Sequence, residues 1–374
     1  MKLNIEILSI FFIAAVSPVI AQQQIGIPGV QASGDPNREA FVLANCSNPV
    51  PPFGGGGGMR AIPRGMVDDF EKSPVNVIPD VIGRGENWRL IWEGSGNNTD
   101  SPIATDNGIL MAMNDLSQIV EISLDGSVEV IATDTYTGGA MAVTPDGTLY
   151  VGERALNRGI WQVEPRLLFT NTMNAEPLEC LGPGVLNDMV ADQKGGMYMT
   201  MGGVYYANAE GDVSGPYGQV RGNGIVLSPD DRTLYVTGRL PGAIPPDDLY
   251  LPPGAPIPRG GIVAFDVQPD GSLTNERQFA WAGNDGTAID TEGRLYTPGD
   301  LRDDDSWVVG SAWVIDPDTG EFIGYFPAPP GTHGLHFGGP DKRTLFGITL
   351  GAETAVYAID MLSQGFQVGE WERF

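Results

Sequence analysis

Asp146-Gly147-Thr148-Leu149-Tyr150 and Glu292-Gly293-Arg294-Leu295-Tyr296 carry the pattern that decides the fold. In each, a polar turn built on glycine runs straight into a short apolar strand. The pattern recurs at Asn107-Gly108-Ile109-Leu110, Lys194-Gly195-Gly196-Met197-Tyr198, Asp231-Arg232-Thr233-Leu234-Tyr235 and Lys342-Arg343-Thr344-Leu345-Phe346. The Leu or Met of each copy serves as a marker. The markers stand at 110, 149, 197, 234, 295 and 345, between 37 and 61 residues apart and about 47 on average. Strand-and-turn repeats of roughly 40 to 50 residues are the blades of a β-propeller. The chain is therefore read as all-β, a six-bladed β-propeller over residues 86–374. A solenoid would show a shorter and tighter period.

A second strand follows several markers. Gln118–Ile122 runs into Asp125-Gly126, Gly261–Phe265 precedes Asp270-Gly271, and Ala312–Ile315 precedes Asp316-Pro317. Each is a short apolar or alternating run closed by a turn signal. Trp88-Arg89-Leu90-Ile91-Trp92 is a plausible strand for sharing a blade with Ala355–Ile359, which would close the ring and protect an open edge. The longest gap holds Leu240–Pro258, whose seven prolines predict an insertion loop over one face rather than a strand.

Outside the repeats, residues 1–21 read as a secretory signal: Lys2, the apolar run Ile7–Val16, and Ala21 at a cleavage point. The rival, an N-terminal membrane anchor, meets an apolar stretch that is short for a span. The expectation is a secreted or periplasmic protein with no membrane association after cleavage. Residues 22–85, with Pro49, Pro51, Pro52 and the run Gly54–Gly58, read as an irregular Gly/Pro-rich extension. No Gly-Lys-Ser/Thr follows the glycine run, so it is not a phosphate loop. The two cysteines, Cys46 and Cys180, can form one disulfide or remain two buried thiols, and do not by themselves make a zinc site.

The 374 residues include 47 acidic and 21 basic ones, a net charge of −26, with 52 glycines and 30 prolines. Too few cations are present to build a basic face, which argues against nucleic acid and against an anionic membrane surface. The charge suits a soluble protein that attracts cations.

Ten residues before Leu110, Leu149, Met197 and Leu295 stand Asp100, Gly139, Asn187 and Asp285. Eleven before Leu234 and Leu345 stand Asn223 and Gly334, the latter beside His333. A near-constant offset in a repeat means the same place in every blade. If the strand beginning there is innermost, these side chains converge on the central channel. Asp100, Asn187, Asn223 and Asp285 then make an all-oxygen metal site suited to one divalent cation, Ca²⁺ first, with Mg²⁺, Mn²⁺ or Zn²⁺ as alternatives. Gly139 and Gly334 would leave room for a substrate above it. For each residue singly, turn chemistry is the competing account. Glu93-Gly94 is a rival first ligand, but its offset from Leu110 differs.

At these residues the sequence resembles the senescence marker protein/gluconolactonase family, six-bladed propellers with a divalent ion in the channel. The resemblance rests on Leu186-Asn187-Asp188-Met189-Val190-Ala191-Asp192, Gly222–Asp230, Asn284–Asp290 and Phe337-Gly338-Gly339-Pro340, and covers roughly residues 95–360. It implies that Asn223 and Asp285 ligate the ion and that Asn187 faces the ion or the substrate. Where the family usually carries Glu-Gly-Pro, this chain has Asp100-Ser101-Pro102, and the family's tryptophan position is Ala104.

The resemblance further implies hydrolysis of a small-molecule lactone or related ester, the ion stabilising the developing oxyanion. Asp285 would activate water or act as nucleophile, and His333, one of two histidines with His336, would be a second acid/base. Two other readings stay open: a phosphotriesterase-type hydrolase on the same scaffold, and a non-catalytic ligand-binding propeller with a structural ion. No Gly-x-Ser-x-Gly elbow is present.

Overall fold

All six markers lie in the second strand of a four-stranded antiparallel blade. That strand is hydrogen-bonded on both edges and packed on both faces by neighbouring blades, so it is written as a nearly continuous apolar run. Gly108–Met113 and Thr344–Thr349, for example, are buried along their whole length. The computed structural model describes residues 24–49, 75, 77–94, 101–182, 184–253, 258, 260–303, 306–349 and 354–373.

The first strands of the blades are Ile103–Ala104, Gly138–Val143, Met189–Ala191, Ile225–Leu227, Ala288–Ile289 and Thr332–Gly338. They touch one another in a closed ring around the channel. The last blade takes three strands from the C-terminal part and its outermost strand, Arg89–Gly94, from the N-terminal part. Arg89 lies opposite Ala358 and Gly94 opposite Thr354, the closure expected from the sequence. The core consists of apolar layers between blades. One joins Tyr296, Val314 and Phe326 to Leu335, Phe337 and Tyr357, and Ile78, Val81 and Ile82 pack against it. In Leu240–Pro258, between the second and third strands of the fourth blade, no strand forms among the described residues.

One end of the channel is closed by the C-terminal tail, which runs under the turns between first and second strands. Thr291 N donates to Gln364 O (2.8 Å), Gly365 N to Lys342 O (2.8 Å) and Phe366 N to Ile289 O (2.9 Å). Ala104 N donates to Gln367 Oε1 (2.7 Å). Satisfying the tail's own backbone groups is what allows it to lie across an apolar channel end.

The stretch read as an irregular extension contains a helix, Arg38–Asn45, which no sequence periodicity had revealed. It docks on the connector between the second and third blades. The thiols of Cys46 and Cys180 are joined as a disulfide, with Cα atoms 5.4 Å apart. Beside it Glu179, fully buried, accepts from Arg38 Nε (2.8 Å), Arg158 Nε (3.0 Å) and Arg158 Nη2 (2.7 Å). Burial raises the Glu179 carboxyl, but the guanidiniums of Arg158 and Arg38 outweigh it and hold the group below the usual carboxylate range. Residues 1–21 lie outside the described residues, among which no helix is long and apolar enough to cross a membrane.

The bridge closes a long loop, 134 residues in sequence. Replacing both cysteines by serine should lower the unfolding free energy by about 2–5 kcal/mol. Denaturant titration of the two proteins measures the difference. A loss well under 1 kcal/mol would mean that the arginine–Glu179 cluster docks the helix unaided.

Candidate active site at the open channel mouth

Of the sites ten or eleven residues before the markers, Gly139, Asn187, Asn223, Asp285 and Gly334 fall at or near the start of a first strand, at the end of the channel opposite the tail. Asp100 lies outside the described residues. Glu93, the rival, sits exposed in the outermost strand of the closing blade, paired with Ala355 and remote from the axis. Asn187 is tied down by its backbone: its N–H donates to Thr200 O (2.8 Å). Asn223 N donates to Thr237 O (3.2 Å), and Thr200 Oγ1 donates to Asn223 O (2.5 Å). Across the blade boundary the Asn187 Nδ2 group donates to Asn223 Oδ1.

Asp285 adjoins this pair. A Cβ at position 224 would collide with the Asp285 carbonyl, so the two strand starts approach to a distance only glycine permits. Asp285 Oδ1 accepts from Gly286 N (3.1 Å). Gly286 in turn bridges Gly334 in parallel, with Leu335 N donating to Gly286 O (3.2 Å). That bridge brings Asp285 and His333, the residues just before the two glycines, to the same end of neighbouring strands. His333 occupies an irregularity between Thr332 and Gly334, and its Nδ1 lies 2.9 Å from Ile348 O.

The expectation that Gly139 and Gly334 leave room for a substrate is corrected. The space beside Gly139 is filled by the Arg154 guanidinium, and the space beside Gly334 by the His336 ring. In both cases the missing Cβ accommodates one of the chain's own side chains. Arg154 is almost wholly buried (5 % exposed). Its Nε donates to Leu186 O (2.7 Å), and its Nη2 to Asn187 O (2.6 Å) and Asn187 Oδ1 (3.2 Å). Nothing periodic marks Arg154 in the sequence.

Between mouth and tail lies a cavity of about 110 Å³, walled by the first strands and by Phe366–Val368. Ser101 Oγ donates to Asp188 Oδ1 across it, and Ile225 N donates to Asp188 Oδ2 (2.9 Å). Asp188 thus ties the first, third and fourth blades together. His336 lines this cavity, whereas His333 lies at the start of the same strand, toward the mouth. Asp188 stood in the Leu186–Asp192 stretch and was legible there, whereas Ser101 carried no signal of its own.

Among the described residues no group of three His, Cys, Asp or Glu comes together. The donors at the mouth are oxygens, the Asp285 carboxylate and the Asn223 amide, a set that fits a hard divalent cation rather than a soft one. Behind Arg154, Glu153 is fully buried; its Oε1 accepts from Arg166 Nη2 (2.5 Å) and its Oε2 from Gln24 Nε2 (2.9 Å). Arg166 also lies over the Trp161 ring, 4.6 Å from its centroid. Burial pushes the Glu153 carboxyl up to about 7, against the pull of Arg166 and Gln24.

The family described as SMP-30/Gluconolactonase/LRE-like region matches residues 115–351. Among solved structures, a gluconolactonase from Xanthomonas campestris superposes with a TM-score of 0.61 at 18% identity, covering 82% of this chain and 98% of that one. A calcium-binding regucalcin from Agrobacterium tumefaciens gives 0.53 at 16% identity, covering 75% and 95%. At such identities these likenesses concern the fold. A search of the curated proteins finds no match.

Because the folded-state value of Glu153 lies above its unfolded value of about 4.5, the folded protein binds the extra proton between the two. This group's contribution to stability should therefore fall as pH rises from about 4.5 to 7 and level off above that range. Thermal unfolding of wild type and Glu153→Gln from pH 4.5 to 8 checks the sign: the variant's melting temperature should decline less. A steeper decline in the variant would contradict the assignment.

Proposed function

Since the chain belongs to the SMP-30/gluconolactonase/LRE-like family, we propose that it hydrolyses a lactone or related ester at the open channel mouth, with one divalent cation, Ca²⁺ first. The observation that carries this reading is the meeting of Asn187, Asn223 and Asp285 at the end of the channel opposite the tail. Asn223 Oδ1 and the Asp285 carboxylate would hold the cation, with Asp100 of the first blade completing an all-oxygen set. Bound there, it would supply positive charge to the substrate carbonyl oxygen as that oxygen becomes anionic.

The proton work falls to His333. Ile348 O can only accept, so the 2.9 Å contact assigns the ring hydrogen to Nδ1 and leaves Nε2 as the basic nitrogen. Asp285 orients the attacking water, and His333 Nε2 takes its proton as the water oxygen bonds to the carbonyl carbon. The ring C–O bond then breaks, and the same proton passes to the departing oxygen, giving the hydroxy acid. Export is part of the proposal: residues 1–21 read as a signal, and the Cys46–Cys180 bridge suits an oxidising compartment.

Asp285→Asn and Asn223→Ala should each lower lactone turnover by at least about 100-fold while the proteins stay folded. Sugar and acyl lactones, an aryl ester and a phosphotriester are assayed side by side, with calorimetric Ca²⁺ titration of each protein. Undiminished turnover in Asp285→Asn, or after chelation, would overturn the metal-dependent reading. Preference for the phosphotriester would move the activity to that class.

A further inference from the structure

Asn187 was left with two roles, ligand of the ion or contact to the substrate. The atoms around it separate them. Arg154 has hydrogen-bond donors only, and its Nη2 points at both oxygens of Asn187, the backbone carbonyl at 2.6 Å and Oδ1 at 3.2 Å. With Oδ1 facing a guanidinium, the amide NH₂ must face the other way, and there it donates to Asn223 Oδ1. The orientation of one amide thus fixes the next.

Arg154 is itself held rigidly. Its Nε is bound to Leu186 O (2.7 Å). The Asn114 amide takes the orientation in which its oxygen accepts from Arg154 Nη1 (2.8 Å) and its nitrogen donates to Gly138 O (2.7 Å). The N-terminal extension fixes the backbone, Ala32 N donating to Arg154 O (2.8 Å). The absent side chain at Gly139 makes space for the guanidinium.

We propose that Arg154 is a positioning residue: it locks the Asn187 amide as a hydrogen-bond donor to Asn223 and keeps Asn187 out of the ion's coordination. The inference rests on the metal-dependent reading above for its consequence, though not for its geometry. An amide oxygen has two lone pairs. With one taken by Asn187 Nδ2, Asn223 Oδ1 is aimed and its second lone pair is left for the cation. The Asn187 oxygen, already facing a positive charge, is a poor place for a second one. This is the arrangement by which outer groups orient a ligand, where mutation typically weakens metal binding 10–100-fold.

The test uses the mature chain and Arg154→Lys, which keeps the charge but loses the planar fork. Asn187→Ala and the double variant complete a cycle. Ca²⁺ titration should show Kd raised about tenfold in each single variant and no further in the double, because both break the same link. Additive losses, or an unchanged Kd accompanied by a lower melting temperature of the ion-free protein, would reduce Arg154 to a structural role. Side-chain amide resonances of selectively ¹⁵N-labelled asparagine, recorded without ion, read the orientation directly. The Asn187 signals should move in Arg154→Lys, and unmoved signals overturn the proposal. If wild type binds no Ca²⁺, the hydrolase reading falls while these resonances still decide the positioning role. Should Arg154→Lys fail to fold, Arg154→Gln carries the same measurements.

Discussion

The ring of first strands is the constraint on which the rest of the structure depends. Six short strands stand side by side around one axis, and each can do so only where its backbone comes close to the next. Gly224 against the Asp285 carbonyl, and Gly286 bridged to Gly334, are the places where that closeness shows. The ring holds only if the last blade is completed, and Arg89–Gly94 does so by pairing with Thr354–Asp360. A propeller closed by strands from both parts of the chain leaves no blade with an unprotected seam. The side chains at the strand starts inherit their geometry from this closure rather than from any local turn.

Two segments outside the repeats turn the scaffold into a one-ended vessel. The tail beyond Asp360 satisfies its backbone groups on the turns of several blades and seals one end of the channel. The N-terminal extension works at the other end. Its helix, the disulfide and the Arg38–Glu179–Arg158 cluster hold the connector that leads into Asn187, and Arg158 Nη1 donates to Gly184 O within it. Residues far from the blades in sequence thus decide how rigidly one mouth residue is presented. Rigidity of this kind is what a site needs if binding and reaction depend on a few oxygens held in place.

The electrostatics at the mouth are more divided than a net charge of −26 suggests. The Asp285 carboxylate accepts from Gly286 N at a first-strand start, while one strand behind, Arg154 and the Glu153–Arg166 pair place buried charges of both signs. Glu153 is held between burial, which favours its neutral form, and Arg166, which favours the charged one. Charge counting along the chain registers none of this, because the partners are brought together by the fold.

By itself the sequence determined the number of blades, the turn-and-strand unit that each marker occupies and the shared phase of Asn187, Asn223 and Asp285, and it offered Trp88–Trp92 as a closing strand. All of these are periodic or local properties, and a repeat writes them several times over. The tertiary structure alone decided that Gly139 and Gly334 make room for Arg154 and His336 rather than for a substrate. It decided likewise that Cys46 and Cys180 pair, that a helix forms in the extension, and that the tail closes the channel. The disulfide and the tail's hydrogen bonds join residues far apart in the chain, and each of these features occurs once. No period marks them, and the long-range ones form only where the closed ring brings their partners within reach.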